Sequence, residues 1–181
     1  MNHYGAREIA ASFRTVRNNT IRIAEEIPED KYGFRPAEGT MTVGELLTHI
    51  ALSPRFNELV NFVEKRTTMV GFDFMAYIEP LKADQARPRT KVEIVALLRE
   101  TGEKFASQVE GVSDDFLAET VSMPPGGRPP SRTRFEMLIG TKEHEMHHRG
   151  QLMLIERMLG ITPHLTRDGQ ARMAAMQAAR K

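Results

Sequence analysis

Three Thr-x-x-Glu sequences, each followed by apolar residues at helical spacing, constrain the fold of this chain most strongly. They begin at Thr42, Thr90 and Thr133, and in each the glutamate three residues later completes the pattern of a helix capping box. Another amphipathic run comes before them and ends at Pro28. Its repeating positions are Ile9, Phe13, Val16, Thr20, Ile23 and Ile27. The last run extends from Thr133 to Leu159. Four amphipathic helices predict an all-α four-helix bundle.

The connections between these helices are less regular than the helices themselves. Residues 65–89 form a long crossover between the second and third helices, with a short helix expected around "DFMAYIEPL". Pro54 follows the second helix and removes a backbone donor, so it predicts either a kink that shapes the mouth of a site or a simple helix end. Residues 1–165 are predicted to form the bundle, and residues 166–181 a C-terminal helical extension that is not a separate domain. No run alternates in the manner of a strand.

The composition excludes several classes of function. The 181 residues suit one domain, and the absence of cysteine excludes disulfides, thiolate metal ligands and a cysteine nucleophile. The formal net charge of +1 gives no attraction to nucleic acid or to acidic membranes. The polar, interrupted start has no signal-peptide core, and no later stretch is apolar enough to span a bilayer. We therefore expect a cytoplasmic protein with no nucleic-acid or membrane partner.

The sequence "KEHEMHHRGQL", residues 142–152, points to a metal site. His144 and His148 are four residues apart, so their ring nitrogens can converge on one helix face. They belong to a row predicted to face the bundle interior, composed of Met137, Thr141, His144, His148, Gln151, Ile155 and Met158. Burying this polar centre would cost several kcal/mol unless a partner such as a metal satisfied it. His49 lies beside the core face of the second helix and completes a predicted centre that leaves at least one position for water or substrate.

The other polar residues near this centre have open roles. His147 lies off the inward row, which favours a solvated position or one supporting the ligands. Gln151 could orient a ligand or a bound water, or bridge helices within the core. His3 and His164 are predicted to be ordinary surface residues. Two alternatives to a catalytic centre stay open, namely a metal that only ties two helices together and a polar layer without metal.

His144 to His148 also spell H-E-x-x-H, the zinc-peptidase pattern. A peptidase would need Glu145 as its general base and a third metal ligand from elsewhere. The extended form of the motif requires glycine and histidine where this chain has Gln151 and Leu154. Glu145 lies about 100° around the helix from His144, which predicts a peripheral position. A zinc peptidase is therefore a minor alternative.

The chain resembles the DinB/YfiT-like metal-binding four-helix bundles over about residues 5–160. Two blocks carry the resemblance: "IPEDKYGFRPAEGTMTVGELLTHIA" and "HEMHHRGQL". The resemblance implies a three-histidine site at His49, His144 and His148 that holds one divalent ion, with zinc or nickel favoured over manganese or iron. It also implies a reaction on a small-molecule substrate with a low-molecular-weight thiol, and a homodimer.

These observations lead to one leading hypothesis and one from another class. The first is a metal-dependent enzyme that activates an external thiol, in an S-transferase or isomerase, or water, in a hydrolase. A chain without cysteine has to take its sulfur from elsewhere, which suits the thiol version. The second is a non-catalytic metal-binding stress-response protein. The residues that would bind the metal directly are the same in all of these functions, so the sequence does not decide between them.

Overall fold

The computed structural model describes residues 4–180, and it is mostly helical. The helices are α1 Ala6–Glu26, α2 Val43–Leu52, α3 Pro54–Asn57, α4 Phe74–Ala86, α5 Lys91–Glu110, α6 Asp114–Ala118, α7 Arg134–Met158 and α8 His164–Ala178. Helix α1 packs against α5 and α7, and α2 packs against the same two helices. The predicted all-α four-helix bundle is confirmed, with α1, α2, α5 and α7 as its members.

The three predicted capping boxes all form at the starts of α2, α5 and α7. The hydroxyls of Thr42, Thr90 and Thr133 accept hydrogen bonds from the backbone N–H of the glutamate three residues later, over 3.2, 3.3 and 3.1 Å. Each glutamate accepts in return from the threonine N–H, over 2.7 Å in all three boxes. Two orphan donors are thus satisfied at each helix start, which fixes where these helices begin.

A polar layer divides the bundle core into two apolar clusters. Members of one cluster include Ile21, Leu98 and Leu152, and members of the other include Phe13, Phe105 and Leu138. Between them lies Arg17, whose guanidinium donates to the carbonyls of Leu98 and Ile50 and to Glu145. A Cβ at Gly102 would lie 2.7 Å from Arg17 Cγ, so the glycine leaves room for this side chain. One buried arginine therefore connects all four helices of the bundle.

The chain keeps a helical conformation beyond Pro54. Ser53, which ends α2, has φ −57° and ψ −32°, and Pro54 begins α3 at the first helical position, where its missing N–H costs nothing. A wider π-type turn follows over Glu58–Val63. The predicted short helix in the crossover is confirmed as α4, which packs against α2.

Two short strands and the short helix α6 are parts of the architecture that were not predicted. β1 Thr120–Ser122 and β2 Ser131–Thr133 pair antiparallel, with Val121 opposite Arg132. Each strand has three residues, which is too short for an alternating pattern to show in the sequence. The pair directs the chain into the start of α7.

Helix α8 is the predicted C-terminal helical extension, and the predicted boundary at residues 165/166 falls inside it. Its first residue, His164, is fully buried, with Nε2 3.2 Å from Asn19 Oδ1 in α1. The prediction that His164 is a surface residue is wrong, because the turn after α7 folds the start of α8 back onto α1. Among the described residues, no helix combines the length and the apolarity that crossing a bilayer requires.

Candidate metal centre

The bundle brings His49, His144 and His148 together in the groove between α2 and α7. His144 Nε2 lies 3.1 Å from His49 Nε2 and 3.2 Å from His148 Nε2. One nitrogen of each ring lies within 4.8 Å of the others, and no other such group of three or more ligating side chains occurs in residues 4–180. His3, predicted to lie at the surface, falls outside the described residues.

The three imidazoles fit a divalent metal ion. Two nitrogens bound at about 2.05 Å to a tetrahedral zinc ion would be about 3.3 Å apart, close to the two distances observed here. All three rings are half-buried, so the site is shielded and still open on one side. A set of nitrogen donors without cysteine or carboxylate suits zinc or nickel rather than calcium or magnesium.

Gln151 determines which nitrogen of His148 is free. Its amide oxygen lies 2.8 Å from His148 Nδ1, and because an amide oxygen can only accept, Nδ1 carries the proton and Nε2 keeps its lone pair. The amide nitrogen of Gln151 lies 3.3 Å from His147 Nε2, so His147 is linked to the cluster through Gln151. Both residues predicted to support the ligands are therefore in contact with the cluster, and their role in binding stays a prediction.

Gln85, on the crossover helix α4, is the contact that the sequence reasoning missed. Its side-chain amide lies 3.0 Å from His49 Nδ1 and fixes the ring orientation. In this amide orientation the His49 proton is on Nε2, directed at His144 Nε2, and a 180° amide rotation would move it to Nδ1 and free Nε2. No periodicity marks Gln85, because the crossover has no repeating pattern that relates it to α2.

The hydrogen bonds within the cluster leave polar atoms unsatisfied. If His144 Nε2 accepts the His49 proton, it also faces the lone pair of His148 Nε2, and these two acceptors repel each other. The proton of His144 is then on Nδ1, which is buried and has no hydrogen-bond partner in the described part of the chain. A cation between the three Nε2 atoms would replace the conflict by three favourable contacts.

Burial and mutual proximity keep all three rings neutral. Desolvation, followed by the charges of the neighbouring histidines, lowers the pKa of His144 to about 4. Desolvation is also the largest cause of the lowered pKa values of His49 and His148. Neutral imidazole is the form that binds metals, so the cluster is ready to bind near pH 7.

The face of α7 that points into the core differs from the predicted row. Leu138, Glu145 and Leu152 are fully buried, whereas Gln151 is exposed and Met158 is 51% exposed. Met137, Thr141 and Ile155 of the predicted row are buried as well, so the inward face overlaps the prediction and is displaced toward Glu145 by less than one residue, or less than about 100°. His144 and His148 lie at the flank of this face and look into the groove toward α2.

Glu145 is central, and the prediction of a peripheral position is wrong. Its carboxylate has no exposed surface and lies 2.9 Å from Arg17 Nη2, in the polar layer of the core. A peptidase base must reach a water at the metal, and this carboxylate is bound to Arg17 in the core, about 100° around α7 from His144. The geometry thus removes the role that the H-E-x-x-H alternative gives to Glu145.

A cavity of about 660 Å³ opens beside the histidines. His49 and His144 form part of its lining, together with Ser53 and Asn57 from the chain just beyond α2. Its outer wall comes from the crossover and from the loop after β1. A ligand in this cavity would therefore reach the imidazole nitrogens directly.

Comparison with known proteins gives a consistent family assignment. The chain is 26% identical over 159 residues to the uncharacterized protein YjoA of Bacillus subtilis (strain 168), covering 87% of this chain and 92% of that protein. The crystal structure of the DinB-like YjoA matches with a TM-score of 0.61, at 26% identity over 86% of this chain and 93% of that one.

A second solved structure supports the bundle fold. YfiT from Bacillus subtilis, described as a probable metal-dependent hydrolase with an unusual four-helix bundle topology, matches with a TM-score of 0.65 at 17% identity. The match covers 90% of this chain and 91% of YfiT. The family model of the DinB superfamily matches residues 12–152, which is most of the chain, and this protein therefore belongs to the DinB superfamily.

Proposed function

We propose that this protein is a divalent-metal-dependent enzyme that acts on a small molecule. The observation that carries the proposal is the position of the histidines, because His49 and His144 form part of the lining of a 660 Å³ cavity. A metal that only joins two helices has no need of a cavity beside it, whereas a catalytic ion needs an open position that a substrate can reach.

His49, His144 and His148 would hold the ion through their Nε2 atoms, with zinc or nickel as the best match to three imidazoles. An ion held by three neutral ligands keeps its full charge, so it lowers the pKa of water or a thiol that binds it and supplies a nucleophile near pH 7. Gln151 keeps the proton of His148 on Nδ1, and Gln85 holds the ring of His49 in place.

We propose a low-molecular-weight thiol as the nucleophile, in an S-transferase or isomerase reaction. The chain has no cysteine, so the sulfur has to come from a second small molecule. In a transfer to an aryl halide, the sulfur–carbon bond forms, the carbon–halogen bond breaks, halide leaves, and the thiol proton is released to solvent. The cavity is large enough to hold the electrophile next to the thiol.

Hydrolysis is the second candidate, and the description of YfiT as a probable metal-dependent hydrolase favours it. It would use the same three histidines, with water in place of the thiol. The two candidates differ only in the nucleophile, so the same variants test both. A non-catalytic metal-binding protein is the outcome if metal is present and neither reaction occurs.

The first test is the metal content of the purified protein and of two matched variants. We expect about one zinc or nickel ion per chain in the wild type and in His147→Ala, and none in His144→Ala. His144 belongs to the group of three converging nitrogens, whereas His147 is exposed and contacts that group through Gln151 and the ring of His148. Elemental analysis of all three proteins gives the result. Equal loss in both variants, or a wild type that refuses added zinc and nickel, would contradict the proposal.

The second test is turnover of 1-chloro-2,4-dinitrobenzene with glutathione, cysteine and other small thiols. Thiol-dependent formation of the aryl thioether, present in wild type and absent in His144→Ala, would support S-transfer. Hydrolysis of 4-nitrophenyl esters without any thiol, with the same dependence on His144, would instead support the second candidate. A protein that binds metal and catalyses neither reaction would contradict the proposal that it is an enzyme.

A further inference from the structure

The cavity beside the histidines has an aromatic wall. Phe56 from α3, Phe72 from the crossover, and Phe74 and Tyr77 from α4 all form part of its lining. Their ring centroids are separated by 5.5 to 6.4 Å in all six pairs, and every pair is edge-on or tilted. We call these four residues the aromatic tetrad. Such a wall offers both ring faces and ring edges to a flat apolar ligand.

The rest of the lining adds apolar surface and almost no charge. Methionines come from three separate parts of the chain at Met69, Met123 and Met137, and flexible thioethers adapt to the outline of a ring. Arg132 and Glu136 are the charged residues of the lining, and they carry opposite signs. Glu136 is also held by its capping box with Thr133.

The polar groups of the lining are concentrated at the histidine end. Asn57 Nδ2 donates to Thr141 Oγ1 over 2.8 Å and to the carbonyl of Met137 over 2.9 Å, so its donors are occupied. The cavity lining is therefore apolar at one end and able to bind polar atoms at the other.

We propose that this cavity selects an uncharged aromatic small molecule. The aromatic tetrad holds its ring system, and its polar reacting group points to the histidines. The inference rests on the proposed function, since it identifies the class of substrate for the same site. The cavity volume of about 660 Å³ lies within the range of about 300–1,000 Å³ found for small-molecule sites, which leaves room for a two-ring compound and a thiol.

The probe for this inference is N-phenyl-1-naphthylamine, an uncharged aromatic dye whose fluorescence rises in apolar sites. Phe74 and Met75 offer a matched pair, since they are neighbours at the start of α4 and are 52% and 59% exposed, but only Phe74 lies against the cavity. We expect Phe74→Ser to weaken binding by about three- to tenfold, the loss of one aromatic contact, and Met75→Ser to leave it unchanged. Both positions are exposed, so both variants should fold.

Displacement of the dye by three compounds of the same shape tests the selection against charge. These are 2-naphthamide, which is uncharged, the anion 2-naphthoate and the cation 2-naphthylmethylammonium. The titrations are done on the protein as purified and again after dialysis against EDTA, because a carboxylate could bind a metal directly. In the dialysed protein we expect the amide to displace the dye at concentrations at least about tenfold lower than either ion, since burying an unpaired charge is costly.

Each result supports or overturns the inference. Saturable binding that Phe74→Ser alone weakens, with the amide preferred, supports it. No saturable binding, equal effects of the two variants, or a charged compound that displaces the dye as well as the amide overturns it. Metal content measured on the same samples tests the proposed function separately. A protein that binds the dye but no metal would support the aromatic cavity and contradict the metal-dependent enzyme.

Discussion

Two polar clusters lie at the same level of the bundle, on neighbouring residues, and have opposite properties. His49 and His144 look into the groove, and Nδ1 of His144 has no hydrogen-bond partner in the described part of the chain. Glu145, one residue along α7, looks into the core, where its carboxylate binds Arg17 over 2.9 Å. The carbonyl of Ile50, one residue along α2, accepts from the same guanidinium over 3.3 Å.

The difference teaches how to separate a structural polar cluster from one that binds a ligand. In the Arg17 layer, carbonyls, a hydroxyl and a carboxylate from the three other helices of the bundle satisfy a buried cation, so nothing further is needed. In the histidine cluster, burial is partial and the acceptors face each other. A polar cluster that lies beside a cavity and contains atoms without hydrogen-bond partners is therefore a candidate ligand site.

A third cluster, at the junction of α1, α7 and α8, lies between these two cases. Glu156 is fully buried, and neither of its carboxylate oxygens has a hydrogen-bond partner in the described part of the chain. Glu26, nearby, is bound by Arg22 and Arg167. Desolvation first, and then the charge of Glu26, raises the pKa of Glu156 to about 7. Glu156 therefore takes up a proton rather than a metal.

Breaking the Arg17 layer should have the largest effect on stability. Arg17→Met leaves Glu145 as an unpaired charge in the core, which should lower the free energy of unfolding by about 3–5 kcal/mol. Arg14→Met, one turn earlier on α1, removes the ion pairs of a partly exposed side chain with Glu103 and Glu110. It should change the free energy of unfolding by about 1 kcal/mol or less. Urea unfolding of metal-free protein, followed by circular dichroism, measures both.

The double variant Arg17→Met with Glu145→Leu sharpens the comparison. Removing both charges should recover most of the loss, because an apolar pair of similar volume can replace a buried ion pair. If Arg14→Met and Arg17→Met were equally harmful, the layer would not be the satisfied structural cluster described above.

The Glu156 cluster should show a smaller, pH-dependent effect. The pKa of Glu156 in the folded protein is raised to about 7 from a usual 4.5. Between these pH values the folded protein binds a proton that the unfolded chain has lost. The contribution of Glu156 to stability therefore falls as pH rises from about 4.5 to about 7. The glutamine of Glu156→Gln is neutral at every pH. The free energy of unfolding of this variant should therefore match that of wild type at pH 5 and exceed it by about 2 kcal/mol at pH 8.

The difference in unfolding free energy between Glu156→Gln and wild type, measured in urea from pH 5 to pH 8, isolates this carboxyl from the histidines. Glu143→Gln, at an exposed position of α7, is the matched control and should follow wild type throughout. A variant that is less stable at pH 8 would mean that the Glu156 carboxylate has a favourable partner when ionised.

The contact between Gln85 and His49 should have the smallest effect, confined to metal binding. Gln85→Ala leaves the ring of His49 without its orienting partner, so we expect zinc affinity to fall by about tenfold with unfolding in metal-free buffer unchanged. Lys82→Ala, one turn earlier on the exposed side of α4, should keep the wild-type affinity. Competition with a chromophoric zinc chelator measures both, and equal affinities would show that Gln85 does not support the ligand.

Local signals in the sequence predicted most of the fold. The capping boxes at Thr42, Thr90 and Thr133 gave the correct starts of three helices, since each box depends on residues only three positions apart. The spacing of His144 and His148 and the position of His49 led to a cluster that the structure brings together. Whether the cluster binds metal stays a prediction.

Contacts between distant parts of the chain were beyond the sequence. Arg17 and Glu145 are 128 residues apart, and each alone has the character of a surface residue, so Glu145 was placed outside the inward face of α7. His164 and Gln85 depend in the same way on where a loop returns the chain. Such pairs are decided by packing, which local periodicity does not encode.

The origin of the cavity walls has a consequence for how such a protein can diversify. The three histidines of the candidate metal centre belong to α2 and α7, whereas three members of the aromatic tetrad lie within residues 72–77 of the crossover, outside the two apolar clusters of the bundle core. The residues proposed to determine reactivity and most of those proposed to determine substrate selectivity therefore lie in different stretches of the chain. Exchanging residues 65–89 for the crossover of a relative, with Gln85 kept beside His49, should transplant substrate preference and leave the histidine cluster in place.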